Sequence, residues 1–200
     1  MAGKRLIDLI GALAGLAVAI IPMALIAVAV AAGLGRPVLF RQPRIGQAGR
    51  QFEMLKFRTM TEATDANGSL LPDEDRTPAI GHVLRRFRLD ELPELLTILK
   101  GDMSLVGPRP LPVYILAPYL ETAPPGTGDK RAEMPPGLTG YAQVCGGTLL
   151  TMDEKLALDG WYVDNWSLGL DFWIMARTLS FLLAGERRDE ARIKQALASA

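Results

Sequence analysis

The run from Leu9 to Leu34 contains no charged residue and is interrupted once by a proline, Pro22. As a helix rising 1.5 Å per residue it would reach about 39 Å, enough to cross a hydrocarbon core of about 30 Å. Basic residues flank it on both sides: Lys4 and Arg5 before it, Arg36, Arg41 and Arg44 after it. Positive charge marks the cytoplasmic side of a membrane segment, so both flanks carry the same address. Pro22 has no N–H for the carbonyl of Val18, and its ring crowds that turn. A single-pass anchor with a kink accommodates the proline, and spanning anchors are the commoner solution. A helix that enters, bends at Pro22 and returns accommodates both the proline and the two basic flanks. The run is too long for a cleavable leader, and no small-residue cleavage site precedes a cysteine-rich domain. Gly11 and Gly15 form a GxxxG pair, a spacing that seats a neighbouring helix but also arises by chance in Ala- and Gly-rich runs.

The remaining residues suffice for one compact domain. The formal net charge is zero, which offers no global electrostatic case for nucleic acid. The charges are segregated, however. Between Arg36 and Arg58 stand Arg36, Arg41, Arg44, Arg50, Lys56 and Arg58 against the lone acid Glu53. Such a stretch directly after a membrane segment suits anionic headgroups or a phosphorylated substrate. The acidic residues between Glu62 and Asp75 read as a solvated face. A single cysteine, Cys145, excludes an internal disulfide and a cysteine-based metal cluster. His82 is the only histidine, which argues against a His-based zinc site or a Ser-His-Asp triad; it reads as a surface or packing residue.

Short apolar and aromatic segments at Val38–Phe40 and Phe52–Phe57, joined through the glycines of residues 45–49, read as a β-hairpin. Residues 61–78 read as a loop. Apolar residues recur at helical spacing from Ile80 to Leu99, with an interruption around Leu89 to Pro93 and Gly101 as a closing residue. A short helix is expected over Tyr114–Leu120, a mobile excursion over 121–137, and longer helices over Met152–Tyr162 and Leu170–Leu183. The aromatics Trp161, Tyr162, Trp166, Phe172 and Trp173 suit either a membrane interface or an aromatic core. The last fifteen residues form a charged amphipathic tail.

The sharpest candidate for chemistry is Arg85-Arg86-Phe87-Arg88-Leu89-Asp90-Glu91-Leu92-Pro93-Glu94. Pro93 suits the first turn of a helix, which places Asp90 and Glu91 at or just before a helix start. The partial positive charge there favours ionised carboxylates and binds phosphate. Two adjacent carboxylates among arginines can divide labour, one as nucleophile or base and one as a Mg²⁺ ligand. Asp90 as a plain helix cap explains the same position. In Gly107-Pro108-Arg109-Pro110, the prolines stiffen the backbone around Arg109, whose planar fork suits phosphate. Strand alternation in Lys56-Phe57-Arg58-Thr59-Met60 sends Lys56 and Arg58 to one side, as a solvent-facing strand would also do.

Together these motifs resemble the monotopic phosphoglycosyl transferases, the bacterial sugar transferase family that starts membrane glycoconjugate assembly. The resemblance runs through Lys4-Arg5 and Asp8, Pro22, Gln42-Pro43-Arg44-Ile45-Gly46, Lys56 to Met60, and Leu89-Asp90-Glu91-Leu92-Pro93. It continues through Gly101 to Pro110, Gly137-Leu138-Thr139-Gly140, and Trp161 to Ser167. It implies an α+β, predominantly helical fold with a re-entrant membrane helix broken at Pro22, a small β-hairpin and interfacial amphipathic helices. The expected division is a membrane helix over 1–35, a catalytic domain over 36–185 that works with it as one unit, and the tail over 186–200. The minimal form of the family is implied, without the extra membrane-spanning region of larger relatives.

The resemblance also implies that Asp90 is the nucleophile and Glu91 a Mg²⁺ ligand, with Lys56, Arg85 and Arg109 around the phosphates. The implied reaction moves a phospho-sugar from a UDP-sugar to a polyprenyl phosphate at the cytoplasmic face of a bacterial inner membrane, with no role for nucleic acid. In relatives the Gly-x-Thr-Gly-x-x-Gln-Val stretch continues with Asn or Ser, then Gly-Arg; here Val144 is followed by Cys145-Gly146-Gly147 and the arginine is missing. Two other classes fit parts of the pattern. A non-enzymatic membrane adaptor would use the basic hairpin alone, and a membrane phosphohydrolase would use Asp90 without a lipid acceptor.

Overall fold

The apolar N-terminal run, rich in the good helix formers Ala and Leu, forms one helix, α1 (Ala2–Leu34), in a computed structural model that describes residues 2–122 and 129–199. The helix continues through Pro22 without interruption, so the expected break at that residue is corrected to a single continuous helix. A proline removes only its own N–H bond and disturbs the turn before it, and the surrounding helical bonds carry the segment across. By length and composition α1 suffices to cross a membrane, with a mean hydropathy of 2.7 over its most apolar window.

Three charged residues near the start of α1 grip the folded body instead of solvent. The chain after α1 first makes an antiparallel hairpin, β1 (Leu39–Ile45) and β2 (Gln51–Phe57), in the register Leu39 opposite Phe57. It continues through α2 (Asp73–Arg76), α3 (Ala79–Arg86), α4 (Glu94–Lys100) and β3 (Ser104–Val106). Arg5 donates to the carbonyls of Ile98 (2.6 Å) and Leu99 (2.9 Å), a cation closing the C-terminal end of α4. Asp8 accepts from the Ser104 hydroxyl and the Leu105 N–H, both at 2.9 Å, and so fixes the edge of β3. Lys4 Nζ donates to the Val106 carbonyl at 2.8 Å and pairs with Asp171 at 2.7 Å, fully buried.

The glycine pair has an intramolecular use. A Cβ at Gly11 would lie 2.4 Å from a methyl of Leu105, and one at Gly15 would lie 3.3 Å from a methyl of Leu95, so the missing side chains let α1 lie close on β3 and α4. At the far end of α1, Val30 is buried with Phe57 and Leu84, and the Arg58 guanidinium donates to the carbonyl of Leu34. Both ends of α1 therefore rest on the same body.

The rest of the chain follows as α5 (Val113–Thr122), β4 (Gly137–Thr139), α6 (Tyr141–Cys145), α7 (Met152–Asp164), α8 (Leu168–Ala184) and α9 (Glu190–Ser199). β4 runs parallel to β3, pairing Ser104 with Gly137 and Val106 with Thr139. The expected excursion over 121–137 is corrected in part. Residues 123–128 lie outside the described residues, but Lys130–Glu133 form a tight turn held by Arg131 on Asp129, and residue 137 opens β4. Most of the aromatic group is core: Trp161 stacks on Tyr141 at 4.8 Å, Tyr162 is buried, and Trp166 donates to Asp171 at 3.1 Å. Phe172, Leu179 and Leu183 of α8 stand exposed, as do Ile10, Val18, Ile21 and Leu25 of α1. Thr151 and Glu154 cap α7 reciprocally, Gly101 ends α4 at a φ of +98°, and His82 is exposed. The architecture is α+β and predominantly helical.

Asp171 accepts from Lys4, from the Tyr162 hydroxyl at 2.6 Å and from the Trp166 indole, so every charge in this buried knot is matched. Lys4→Met should remove the cation and strand Asp171 in the interior, at about 3–5 kcal/mol. Thermal unfolding in detergent should show a clearly lowered midpoint, partly restored in Lys4→Met/Asp171→Asn. An unchanged midpoint in the single variant would show that the knot does not hold α1 to the body.

Candidate active site

Arg88 has a left-handed backbone, φ +52°, a conformation uncommon for a residue with a side chain. It reverses the chain between α3 and a tight turn at Leu89–Glu91, and this turn carries the two acids. Pro93 then stands at the cap of α4, with Glu94 in its first turn. Asp90, Glu91 and Glu94 are all buried.

One oxygen of Glu91 gathers the cations. Its Oε1 accepts from Lys56 Nζ at 2.8 Å, from Arg109 Nη2 at 2.8 Å and from Arg88 Nη1 at 3.4 Å. Burial alone would raise the pKa of Glu91, but Arg109, Lys56 and Arg88 outweigh it and hold the carboxyl well below the usual range. Asp90 makes no ion pair within 4 Å among the described residues. Burial, and then the charge of Glu91, push its pKa up. The ionising effect expected of a helix start is therefore overridden at Asp90. Glu94 Oε1 lies 3.4 Å from Lys56 Nζ with no other hydrogen-bond partner among the described residues, and burial with the nearby Glu91 charge raises its pKa to about 7.

Arg109 is held as its prolines imply, and the packing around it is tight. A Cβ at Gly107 would fall 2.3 Å from the Pro135 carbonyl oxygen, so only glycine admits the crossing of β3 and β4. Gly107 N–H donates to Thr139 O, and Gly137 N–H to Pro108 O, both at 2.9 Å. Arg44 of β1 braces the other side by donating to the Pro110 carbonyl at 2.9 Å. Burial, with Arg109 close by, lowers the pKa of Arg44 to about 10.

Lys56, Glu91 and Arg109 thus meet, as expected, with Asp90 beside them in the same turn. Arg85 does not join them: its guanidinium reaches Met60 Sδ at 3.8 Å on an exposed face, and Arg88 takes the inward position. Arg58, paired with Lys56 by strand alternation, goes to the end of α1 instead. Sequence reasoning missed Arg88, Glu94 and Arg44 as members of the cluster. The signal for Arg88 was faint, since three arginines share four positions and the left-handed turn selects among them.

Next to the cluster lies a cavity of about 150 Å³ lined by Arg88, Arg109, Arg131, Lys155, Gln143 and Asp159 among others. Four cations face one carboxyl, so the cavity suits an anion. Asp159 is 2 % exposed, and burial raises its pKa to about 7 against the opposing pull of Arg131. Among the described residues no group of three or more His, Cys, Asp or Glu side chains is placed to hold a metal ion. The donor set fits only an ion that completes its shell from a substrate, the habit of Mg²⁺ with phosphates.

Asp159 and Glu94 hold protons up to about pH 7 in the folded protein, whereas unfolded carboxyls release them near pH 4. Between those values these two groups bind more protons in the folded state, so their contribution to stability falls as pH rises and levels off above about pH 7. Asp159→Asn removes one such contribution. Its melting midpoint should fall less steeply than that of the parent protein between pH 5 and 8. An identical slope would mean that Asp159 is already ionised in the folded state.

The whole architecture up to the end of α8 matches a known family model, described as bacterial sugar transferase, over residues 1–185. The chain is 43% identical to the uncharacterized sugar transferase EpsL of Bacillus subtilis (strain 168) over 183 residues, covering 92% of this chain and 88% of that one. It is 39% identical over 193 residues to a UDP-glucose:undecaprenyl-phosphate glucose-1-phosphate transferase of Caulobacter vibrioides, covering 90% of this chain and 69% of the relative. A UDP-galactose-lipid carrier transferase of Erwinia amylovora is 35% identical over 205 residues, and there the match covers 94% of this chain but only 41% of the relative. With a family match over nearly its full length and these relatives, the chain belongs to the bacterial sugar transferase family.

Proposed function

We propose that this protein transfers a sugar 1-phosphate from a UDP-sugar to a polyprenyl phosphate through a covalent phospho-sugar on Asp90. The observation that carries the reading is the asymmetry of the acidic pair. Glu91 is ionised and occupied by three cations, whereas Asp90, one residue away, is buried, makes no ion pair within 4 Å among the described residues and has its basicity raised. A carboxylate tied to cations is a poor nucleophile, and one released from them is a good one. The names of the Caulobacter and Erwinia relatives support the same class of donor and acceptor.

In the first step an Asp90 oxygen bonds to the β-phosphorus of the UDP-sugar. The bond from that phosphorus to the bridging oxygen breaks, and UMP leaves with the bonding pair. In the second step an oxygen of the polyprenyl phosphate bonds to the same phosphorus and the Asp90 carboxylate is released. Arg109 and Lys56 hold Glu91 and stand beside the phosphates, where they offset charge that builds up during each displacement. A Mg²⁺ ion, when bound, would be held by Glu91 and substrate oxygens and would supply further neutralisation of the phosphates. The raised Asp90 pKa keeps its carboxylate basic, and the stiff loop around Arg109 limits the ordering needed on binding.

Incubation with a panel of UDP-sugars, without lipid acceptor, should add one phospho-sugar mass to the protein and release UMP. Asp90→Asn should abolish both events, and Glu91→Gln should slow them by at least about tenfold while still permitting labelling. Intact mass and peptide mapping decide it. An adduct on Glu91 that survives Asp90→Asn would reverse the roles, and no adduct or UMP from any UDP-sugar would defeat the reading.

The catalytic body is proposed to sit on the cytoplasmic face of a bacterial inner membrane, with both ends of α1 kept on that face. This is supported by the basic flanks and by the packing of both ends of α1 on one body. A cysteine introduced at position 2 should stay unlabelled by an impermeant maleimide in intact cells. The native Cys145 is buried, with its thiol pushed up to about 12, and adds no background. Efficient labelling at position 2 would show that α1 spans.

A further inference from the structure

The segment after α8 begins where the family match ends, and it reaches Arg88 beside the acidic pair. Glu186 Oε1 lies 3.4 Å from Arg88 Nη2, while Arg88 Nη1 lies 3.4 Å from Glu91 Oε1. The guanidinium therefore bridges two carboxylates, with its carbon 5.3 Å above the ring of Phe181 on α8. Glu186 Oε2 accepts from the Thr148 N–H at 2.8 Å and also bonds the Thr148 hydroxyl. Gly147 makes room for this: its φ is +57°, and a Cβ there would fall 2.9 Å from Glu186 Oε1. The segment is firmly docked. Arg188 donates to the Leu149 carbonyl at 2.8 Å and pairs with Glu154 at 2.7 Å, Asp189 N–H donates to Cys145 O at 2.8 Å, and Ile193 and Ala196 are buried.

Lys56 and Arg109 sit on Glu91 at 2.8 Å, the length of a tight charge-assisted bond, whereas both Arg88 contacts are longer. Arg88 is thus the cation least committed to Glu91, and with Arg109 it lines the cationic cavity. We infer that Glu186 is a positioning residue for Arg88, holding its guanidinium off Glu91 and toward the cavity, where it meets the diphosphate of the nucleotide-sugar. The inference rests on the reading of the preceding subsection. Without the Glu186 charge, Arg88 closes onto Glu91, and the substrate must then displace it from a full ion pair. The effect falls on binding more than on the chemical step.

Glu186→Gln keeps an acceptor oxygen for Thr148, and with it the loop anchor, but removes the charge facing Arg88. The KM for the UDP-sugar should rise about tenfold, the size of one charge-assisted hydrogen bond, with kcat within about twofold and an unchanged melting midpoint. In an Arg88→Gln background the same change should leave KM where it is, because the partner it acts through is gone. A wild-type KM in Glu186→Gln, or an equal rise with and without Arg88, would overturn the inference and leave Glu186 as a loop anchor only. Calorimetric titration with UDP reads the same affinity ratio without turnover. A protein that releases no UMP from any UDP-sugar would count against the proposed reaction, while the UDP titration would still decide the role of Glu186.

Discussion

A carboxylate buried with one cation is balanced; one buried with three is over-supplied, and the surplus charge has to act on something else. Glu91 is in that position, with Lys56, Arg109 and Arg88 converging on a single oxygen. The surplus lowers the proton affinity of Glu91 and leaves the neighbouring Asp90 as the carboxyl whose affinity burial is free to raise. Two adjacent acids of nearly equal chemistry thereby come to differ in proton affinity. The geometry of the rest of the body serves that difference: β2 brings Lys56, the β3–β4 crossing brings Arg109, and the left-handed turn brings Arg88.

The membrane helix takes part in the same arrangement. Asp8 fixes β3 at its start and Lys4 at its last carbonyl, directly before the loop that presents Arg109. Arg5 closes α4, whose first turn holds Glu94. The positions of Arg109 and of the acidic turn are thus set partly by residues about a hundred places away in the chain. Buried charge pairs are exacting about geometry, which makes them suited to fixing one arrangement rather than to adding stability.

Much of the site was legible because its signals are local. Proline on either side of Arg109 and a paired acid before a helix start are patterns a few residues long that single out Arg109, Asp90 and Glu91. That Lys56 and Arg109 share a centre with the acids was implied only by the family resemblance, and the structure brings Lys56, Arg109 and Glu91 together. The choice between Arg85 and Arg88 was not legible, since it depends on a left-handed backbone at a residue other than glycine. Lys4 and Arg5 read as signals of orientation, and their partners on α4, β3 and α8 could not be inferred from spacing. The three-residue parallel pairing of β3 with β4 joins segments some thirty residues apart and has no periodicity to announce it. Pro22 read as a bend or break in the membrane helix, yet the helix runs on through it, because the helical bonds on either side carry the segment past the one missing N–H.

The burial of Lys4 has a consequence in time. A lysine sealed inside the protein, 4 % exposed, has no surface left to offer lipid headgroups. Its charge can influence the entry of the chain into the bilayer only while the body is still unfolded and the ammonium is hydrated. Once Asp171 and the Val106 carbonyl close around it, the ammonium becomes a latch: withdrawing the N-terminus would require reopening the interior of the domain. The place of the N-terminus on the body is in this way kept by folding.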